Sequence, residues 1–199
     1  MRMGLVPLVV SLALCAGCFT SGKPTPKSWT VEPRESGAGT RTSAEGGGSA
    51  FVATRVGTIA VNAPFDRSPF VVRRSDGAVA FDAYNEFASA PAALLRAPVR
   101  AQLAKDGRFG HVVSPSSVAN ADAAVEVLVT DLSLDCRKSG ERKARAAVSV
   151  DVLKTGRGPR AVALSGYGAG EADASAGDYS AAFSAAFNEA LAEALRALK

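Results

Sequence analysis

The sequence predicts an α+β fold, a mainly antiparallel sheet with two helices packed on one face. Three strand-like stretches, at about 122–136, 144–154 and 160–170, follow one another through short connections. Short connections favour antiparallel neighbours. The chain closes with a segment whose large apolar residues recur every four positions, which is typical of a helix with one buried face. With an earlier helix among the strands, the predicted order is β-β-β-α-β-β-β-β-α. The simplest architecture for this order has the helices packed on one face of the sheet.

The first strands of the predicted domain lie at 54–61, 70–74 and 78–82. The last two flank the sequence SDG, in which Asp76 and Gly77 tolerate positive φ, so they form a predicted hairpin. A short FGHVV strand is predicted at 109–113.

The segment 89–107 is predicted to form the first helix. Ser89 suits the N-cap, Pro91 falls in the first turn where its missing N–H does no harm, and Gly107 suits the end. Pro98 conflicts with a continuous helix because it removes one hydrogen bond, so a kink or break is expected there. The buried stripe of this helix consists of Leu95, Val99 and Leu103.

The strand at 122–136 changes the parity of its apolar residues half-way, which predicts a bulge near Thr130 and Asp131. Cys136 is predicted to be buried, because its apolar neighbours share its strand face. The two parity groups are Val125, Val127 and Val129, then Leu132, Leu134 and Cys136. The stripe of the closing helix is Tyr179, Phe183, Phe187, Leu191 and Leu195.

The N-terminus has the pattern of a secretory signal. A short region containing Arg2 precedes ten apolar residues and then small residues. Ten residues rise only about 15 Å as a helix, too little for a membrane span. Ala16 and Gly17 before Cys18 resemble a bacterial lipobox, although Cys15 stands where Leu, Val or Ile is usual. The chain is therefore divided into a signal peptide (1–17), a lipidated flexible tether (18–53) and an α+β domain (54–199), with an ordinary cleaved or retained signal as the alternative.

The predicted tether is rich in Gly, Ser, Thr, Pro and Lys. About 35 flexible residues would have a root-mean-square reach of about 30–35 Å. Within it, SWTVEP at 28–33 suggests that Trp29 and Val31 form a short strand docked on the domain.

Composition argues against several function classes. The chain has 23 basic and 19 acidic residues and a net charge of +4, and these are scattered rather than gathered into a stripe, so nucleic acid is not an expected partner. The C-x-x-C at 15–18 lacks the second pair of ligands that zinc needs, and His111 is the one histidine. No metal or cofactor is predicted.

No nucleophile, zinc-hydrolase or phosphate-loop motif is present, so no catalytic residue is assigned and the protein is predicted not to be an enzyme. The glycines of GYGAGE at 166–171 are interpreted as a flexible or bulged strand end rather than a phosphate loop.

The hairpin tip CRKSGERKAR at 136–145 gathers basic residues around Glu141. It could touch anionic head groups or an acidic partner, or simply be a solvated turn. Its candidate contact residues are Arg137, Lys138, Arg142 and Lys143.

The layout of residues 54–198 resembles the ABC-type transport auxiliary lipoproteins. In that family a hairpin leads to an aromatic-Ala-acidic-Pro-Leu segment, and AYNEFASAPAALL at 83–95 occupies this place. Phe87 and Ala88 look like the aromatic-Ala pair, whereas Ser89 replaces the acidic residue and Pro91 comes one position late. SWTVEP and the closing helix after GYGAGEADASAGDYSAAF are further similarities.

The resemblance implies a non-enzymatic accessory of a mammalian-cell-entry (MCE) type lipid transporter. Such a protein is acylated at Cys18, faces the periplasm and bridges or docks the transporter at the outer membrane; Phe19, rather than Asp, after the lipidated cysteine is compatible with that sorting. Its partners would be an MCE-domain protein and the ABC permease and ATPase, with Phe87 as a further candidate contact and a homo-oligomer left open. The alternatives are a structural lipoprotein that assists outer-membrane or envelope assembly, and a tethered periplasmic enzyme.

Overall fold

A long central strand, β6, organises the sheet of this protein. The computed structural model describes residues 25–34, 50–113, 117, 119–155, 161–175 and 177–199, so the predicted signal peptide and Cys18 lie outside the described residues. Within these ranges the strands are β1 (Lys27–Trp29), β2 (Phe51–Val61), β3 (Pro69–Arg74), β4 (Val79–Phe87), β5 (Phe109–Val113), β6 (Ala123–Cys136), β7 (Lys143–Lys154) and β8 (Ala161–Asp173). The helices are α1 (Pro91–Leu94), α2 (Arg96–Lys105) and α3 (Tyr179–Arg196).

The sheet is mixed, so the predicted antiparallel arrangement is confirmed only in part. β6 pairs antiparallel with β7 along its whole length, and β7 pairs antiparallel with β8, as the short connections indicate. The other edge of β6 is shared end to end by β2 and β3, and both pair with it in parallel. β5 continues the sheet beyond β2 in parallel, while β4 pairs antiparallel with β3 and carries β1 in parallel.

The predicted irregularity of β6 is confirmed. Its register against β7 shifts between Val129 and Asp131, so residues of opposite parity before and after the shift face the same core. The predicted β3–β4 hairpin is also present, with Gly77 at a φ of +82°.

Helix α3 lies directly on a row of glycines in β8, and this corrects the interpretation of GYGAGE. The glycines are in the interior of a regular strand, not at a bulged end. A Cβ on Gly166, Gly168 or Gly170 would lie 2.1–2.2 Å from a carbonyl oxygen of α3. Two strand residues advance about 6.6 Å and four helix residues about 6 Å, so alternate glycines match every fourth helix residue. The three helix residues are Ala194, Ala190 and Ala186.

The first predicted helix is broken, but earlier than expected. The break is at Leu95, between α1 and α2, and Pro98 lies in the first turn of α2, where no intrahelical N–H is needed. The N-cap is Ala90 without a side-chain hydrogen bond, so the assignment of Ser89 as N-cap is wrong. Leu95 is fully buried, as are Val99 and Leu103 of the predicted stripe.

An aromatic cluster fills the core between α3 and the β3–β4 half of the sheet. Phe87 is 2% exposed and its ring centroid lies 5.1 Å from that of Phe183. Phe70 contacts both rings, at 4.7 and 4.8 Å. Phe87 is therefore a core residue of the domain, because it has almost no surface to offer a partner.

Residues 27–34 are packed on the domain, although they lie within the predicted tether. The expected docking of Trp29 and Val31 is confirmed, but only Trp29 belongs to a strand: β1 pairs with β4 and ends at Trp29, and Val31 lies beyond it and is 5% exposed. Beyond β1 the backbone is held by side chains of α3: Ser180 Oγ donates to the Thr30 carbonyl at 2.8 Å. The backbone N–H of Glu32 donates to Ser184 Oγ at 2.8 Å. This segment is called the N-terminal strap below, and its docking leaves a much shorter connection between Cys18 and the domain.

Candidate functional site at the hairpin end

Two hairpin tips meet at one end of the sheet, called the hairpin end here. β3 and β6 run parallel, with Arg74 in register with Cys136, and both continue into hairpins. The tips therefore lie side by side. Each tip has a glycine in the left-handed region, Gly77 at φ +82° and Gly140 at φ +80°.

A cleft of about 930 Å³ opens between β4 and the β6–β7 hairpin. Its walls combine apolar side chains with cations and carboxylates, so it suits an amphipathic ligand or a partner with mixed chemistry. Phe81 is 46% exposed and Tyr84 is 64% exposed, which leaves two aromatic rings at its rim. The other principal lining residues are Val72, Leu134, Cys136 and Tyr179, with Arg74, Lys138, Arg142, Asp82 and Glu141.

A chain of hydrogen bonds fixes the β4 wall of the cleft to the N-terminal strap. Asp82 Oδ1 accepts from the backbone N–H of Tyr84 at 2.7 Å, and its Oδ2 accepts from Asn85 Nδ2 at 3.0 Å. The indole N–H of Trp29 donates to Asn85 Oδ1 at 3.0 Å. The exposed Tyr84 thus projects from a locally ordered bend rather than a loose edge.

Arg142 and Lys138 are the predicted contact residues that line the cleft. Arg142 Nη1 donates to Tyr179 Oη at 2.8 Å, which positions the guanidinium between the hairpin and α3. Lys138 Nζ lies 3.7 Å from Glu141 Oε2, and both side chains are largely exposed. An exposed pair of this kind contributes little to stability, so Lys138 can exchange it for another anion at small cost.

Arg137 and Lys143 line a neighbouring cavity of about 410 Å³, which Lys138 also borders. Arg137 is held by Asp135, with Nη2 to Oδ2 at 2.6 Å, and Arg145 Nη1 donates to the same oxygen at 3.0 Å. The hydrogen bond from Arg137 is the main cause that lowers the pKa of Asp135 well below its usual range, and it raises the pKa of Arg137. Arg145 also reaches Glu171 at 2.9 Å. Arg137 and Arg145 are thus held by carboxylates at the neighbouring cavity, whereas Lys138 and Arg142 line the cleft.

Cys136 is half-buried in the cleft wall, whereas the sequence predicted burial. Burial is the main cause that raises the pKa of its thiol; the carboxylates of Asp135 and Asp82 add to it and Arg142 opposes it. A thiol with a raised pKa is mostly protonated at neutral pH and is a poor nucleophile. The geometry gives Cys136 no catalytic activation.

The remaining predicted positions are spread over the molecule. Phe87 lies in the core, and His111 lies exposed on β5, with no role in the cleft. Sequence reasoning missed Phe81, Tyr84 and the cleft itself. The signal available was AVAFDAYNEF at 78–87, in which Phe81 and Tyr84 have opposite parity, so a regular strand could not bury both rings on one face.

Neither a metal-binding cluster nor a membrane-spanning helix is found in the described ranges. No group of three or more His, Cys, Asp or Glu side chains in these ranges is placed to hold a metal ion. No helix found there is long and apolar enough to cross a bilayer.

Comparison with protein-family models gives one match. The model for the ABC-type transport auxiliary lipoprotein component covers residues 35–198. The chain belongs to this family. The auxiliary lipoproteins are associated with ABC-type transport, and membership places this one on a membrane of the cell envelope in an auxiliary role, which points away from an enzyme.

A solved crystal structure shares the fold. Protein XCC0632 from Xanthomonas campestris, described as a DUF330 protein, is similar with a TM-score of 0.57 and 18% identity, over 84% of this chain and 88% of that one. A crystal structure of an uncharacterized protein has a TM-score of 0.47 and 17% identity, over 66% of this chain and 79% of that one. A search of the curated proteins finds no match.

Proposed function

We propose that this auxiliary lipoprotein is a lipid-anchored periplasmic component of an MCE-type lipid transport system. It docks or bridges the transporter at the outer membrane. The observation that carries the proposal is the family match over residues 35–198, which includes nearly the whole folded domain. In this proposal Cys18 is the acylated residue, and the partners are an MCE-domain protein and the ABC permease and ATPase.

The acyl chains supply the membrane attachment. Each buried methylene contributes about 0.8 kcal/mol, so two or three chains make the anchoring effectively stable. The domain itself contributes a mixed sheet whose helices cover one face, with the hairpin end exposed. Of the predicted contact residues, Arg137 and Lys143 in the neighbouring cavity are the proposed partner contacts, whereas Lys138 and Arg142 line the cleft.

The experiment is affinity purification of the tagged protein from crosslinked native envelope, beside the variant Cys18→Ser. We expect an MCE-domain protein or its permease to be recovered with the wild type and lost with Cys18→Ser. Membrane fractionation of the same samples should place the wild type in the outer membrane and release the variant.

A hairpin variant separates anchoring from docking. Lys143→Glu should keep the protein on the membrane and reduce recovery of the partner. The matched control, Lys154→Glu, reverses a charge at the other end of β7 and should leave recovery unchanged. Recovery of outer-membrane assembly factors or cell-wall proteins alone would instead indicate a structural lipoprotein.

A further inference from the structure

We propose that the hairpin end is the membrane-facing end of the anchored protein, where Phe81 and Tyr84 contact the phospholipid headgroup layer with Lys138 and Arg142. This inference depends on the acylation of Cys18 proposed above. It adds an orientation and a lipid-contacting surface, which the fold and the family do not specify.

The length of the connection is the first argument. Because the N-terminal strap is packed on the domain, the connection ends at Thr25, just before β1, and not near residue 50. Residues 18 to 25 span seven peptide units, which reach at most about 25 Å when fully extended. A connection of this length keeps the start of β1 close to the bilayer, whereas a 35-residue tether would not.

The direction of β1 is the second argument. β1 is parallel to β4, and β4 begins at the β3–β4 hairpin tip and runs away from it. Residues before β1 therefore approach from the side of the hairpin end. Thr25 and Lys27 line a cavity of about 420 Å³ together with Tyr84 and Arg142, so the incoming chain borders the same surface as the cleft.

The chemistry of this end is the third argument. Exposed aromatic rings beside cations are the groups that proteins place at the level of lipid headgroups. Phe81 and Tyr84 supply the rings, and Lys138 and Arg142 supply donors for phosphate oxygens. The cleft also holds Asp82, Glu141 and the cation Arg74, so its charges are nearly balanced and the contact does not need an anionic membrane.

The opposite end of the sheet cannot make the same contact. Lys27 is in register with Asn85, and through β3 it is level with about Leu132 of β6. The far end of β6, Ala123, is nine residues from there, or about 30 Å, which exceeds the reach of the connection. Val162 lies at that far end, because β8 begins beside the end of β7 that is remote from the hairpin. It is 56% exposed, which makes it a matched position for a label.

The test measures which end is near lipid in the acylated protein. In a Cys136→Ala background, Ser139→Cys places a fluorophore on the exposed hairpin tip and Val162→Cys places it at the far end. Each protein is reconstituted, with its acyl chains, on phosphatidylcholine vesicles that carry a quencher on a fraction of the headgroups. We expect quenching of the Ser139 label to exceed that of the Val162 label severalfold, and to persist when phosphatidylglycerol is added. Equal quenching, or stronger quenching at Val162, would overturn the orientation.

Lengthening the connection tests its cause. Insertion of about 20 Gly and Ser residues between residues 23 and 24 adds about 25 Å of root-mean-square reach. Combined with Tyr84→Ala and Phe81→Ala, the insertion should reduce quenching of the Ser139 label to that of the Val162 label. Undiminished quenching would refute the role of the connection and the two rings.

Mass spectrometry and flotation separate the two proposals. A protein that carries no acyl chain refutes both, whereas an acylated, floating protein with reversed quenching refutes the orientation alone.

Discussion

Replacement of Gly168 by Ala would place a methyl group inside the backbone of helix α3. The added Cβ would lie 2.1 Å from the Ala190 carbonyl oxygen, 2.4 Å from the Ala194 nitrogen and 2.8 Å from Glu193 Cβ. Ordinary van der Waals contact begins near 3.4 Å. Since two of these atoms belong to the helix backbone, no side-chain rotation relieves the overlap, and α3 must move away by more than 1 Å.

The cost follows from what α3 buries. Its inner face contains Phe183, Phe187 and Leu191, all fully buried, so moving the helix opens gaps along the core. Overpacking of a core costs about 1–3 kcal/mol. Replacing Gly by Ala also lowers the conformational entropy of the unfolded chain, which stabilises the folded state by about 0.4–1 kcal/mol. We expect a net loss of about 1–2 kcal/mol in the free energy of unfolding, or about 2–8 °C in Tm for a domain of this size.

Circular dichroism during thermal and urea unfolding of the domain measures this loss. Gly107→Ala is the matched control, because a Cβ there meets nothing within 4 Å and its φ is outside the left-handed region. It should leave Tm unchanged or slightly raised. Equal Tm values for the two variants would refute the packing of α3 on the glycine row.

Three further predictions concern the hairpin, the strap and the helix start. Asp135→Asn, which weakens the hydrogen bonds with Arg137 and Arg145, should lower the free energy of unfolding measured in urea at pH 7. Folding lowers the pKa of Asp135, so its contribution to stability is complete above the unfolded pKa of about 3.9 and is lost as pH falls below it. The free energy of unfolding of the variant should therefore decline less steeply in acid than that of the wild type. An equally steep decline would contradict the ion pair. Trp29→Ala removes the ring that packs edge-on against Tyr179 at 5.3 Å, so hydrogen exchange of residues 27–34 should accelerate while that of β7 stays slow. Asp178→Ala removes the N-cap of α3 and should cost about 1 kcal/mol, with Asp178→Asn as the control that keeps most of it.

Local patterns were sufficient for much of the β6–β8 half of the domain. The parity change near Thr130 predicts the bulge because the side-chain period of a strand is two. The SDG turn predicts the β3–β4 hairpin because the turn requires positive φ, which glycine adopts readily; Gly77 has positive φ in the structure. These features depend on neighbouring residues alone, and the structure confirms them.

The parallel pairings could not be predicted in this way. β2 pairs with β6 and β5 across long stretches of sequence, and no local signal specifies which edge of β6 it takes. For the N-terminal strap, SWTVEP predicted that Trp29 and Val31 dock on the domain, but no local signal specified which elements they contact. Only the structure shows its contacts with α3 and β4.

The residues of the β6–β7 tip could be predicted from the sequence, but not how they are arranged. The cations of the β6–β7 tip are visible in the sequence, but their division is not: Arg137 is bound by Asp135, while Arg142 faces the cleft. Phe87 was selected by its place in a motif, whereas its contacts place it in the core.

By itself the sequence determined the α+β class, the closing helix, the hairpins and the family resemblance, because these depend on short-range periodicity, turn chemistry and the order of segments. The tertiary structure alone decided the parallel half of the sheet, the pairing of the strap with β4 and the packing of α3 on Gly166, Gly168 and Gly170. The physical reason is that each of these depends on contacts between segments far apart in the chain. A glycine has the same local preferences whether it ends a strand or admits a helix, and only the approach of α3 distinguishes the two.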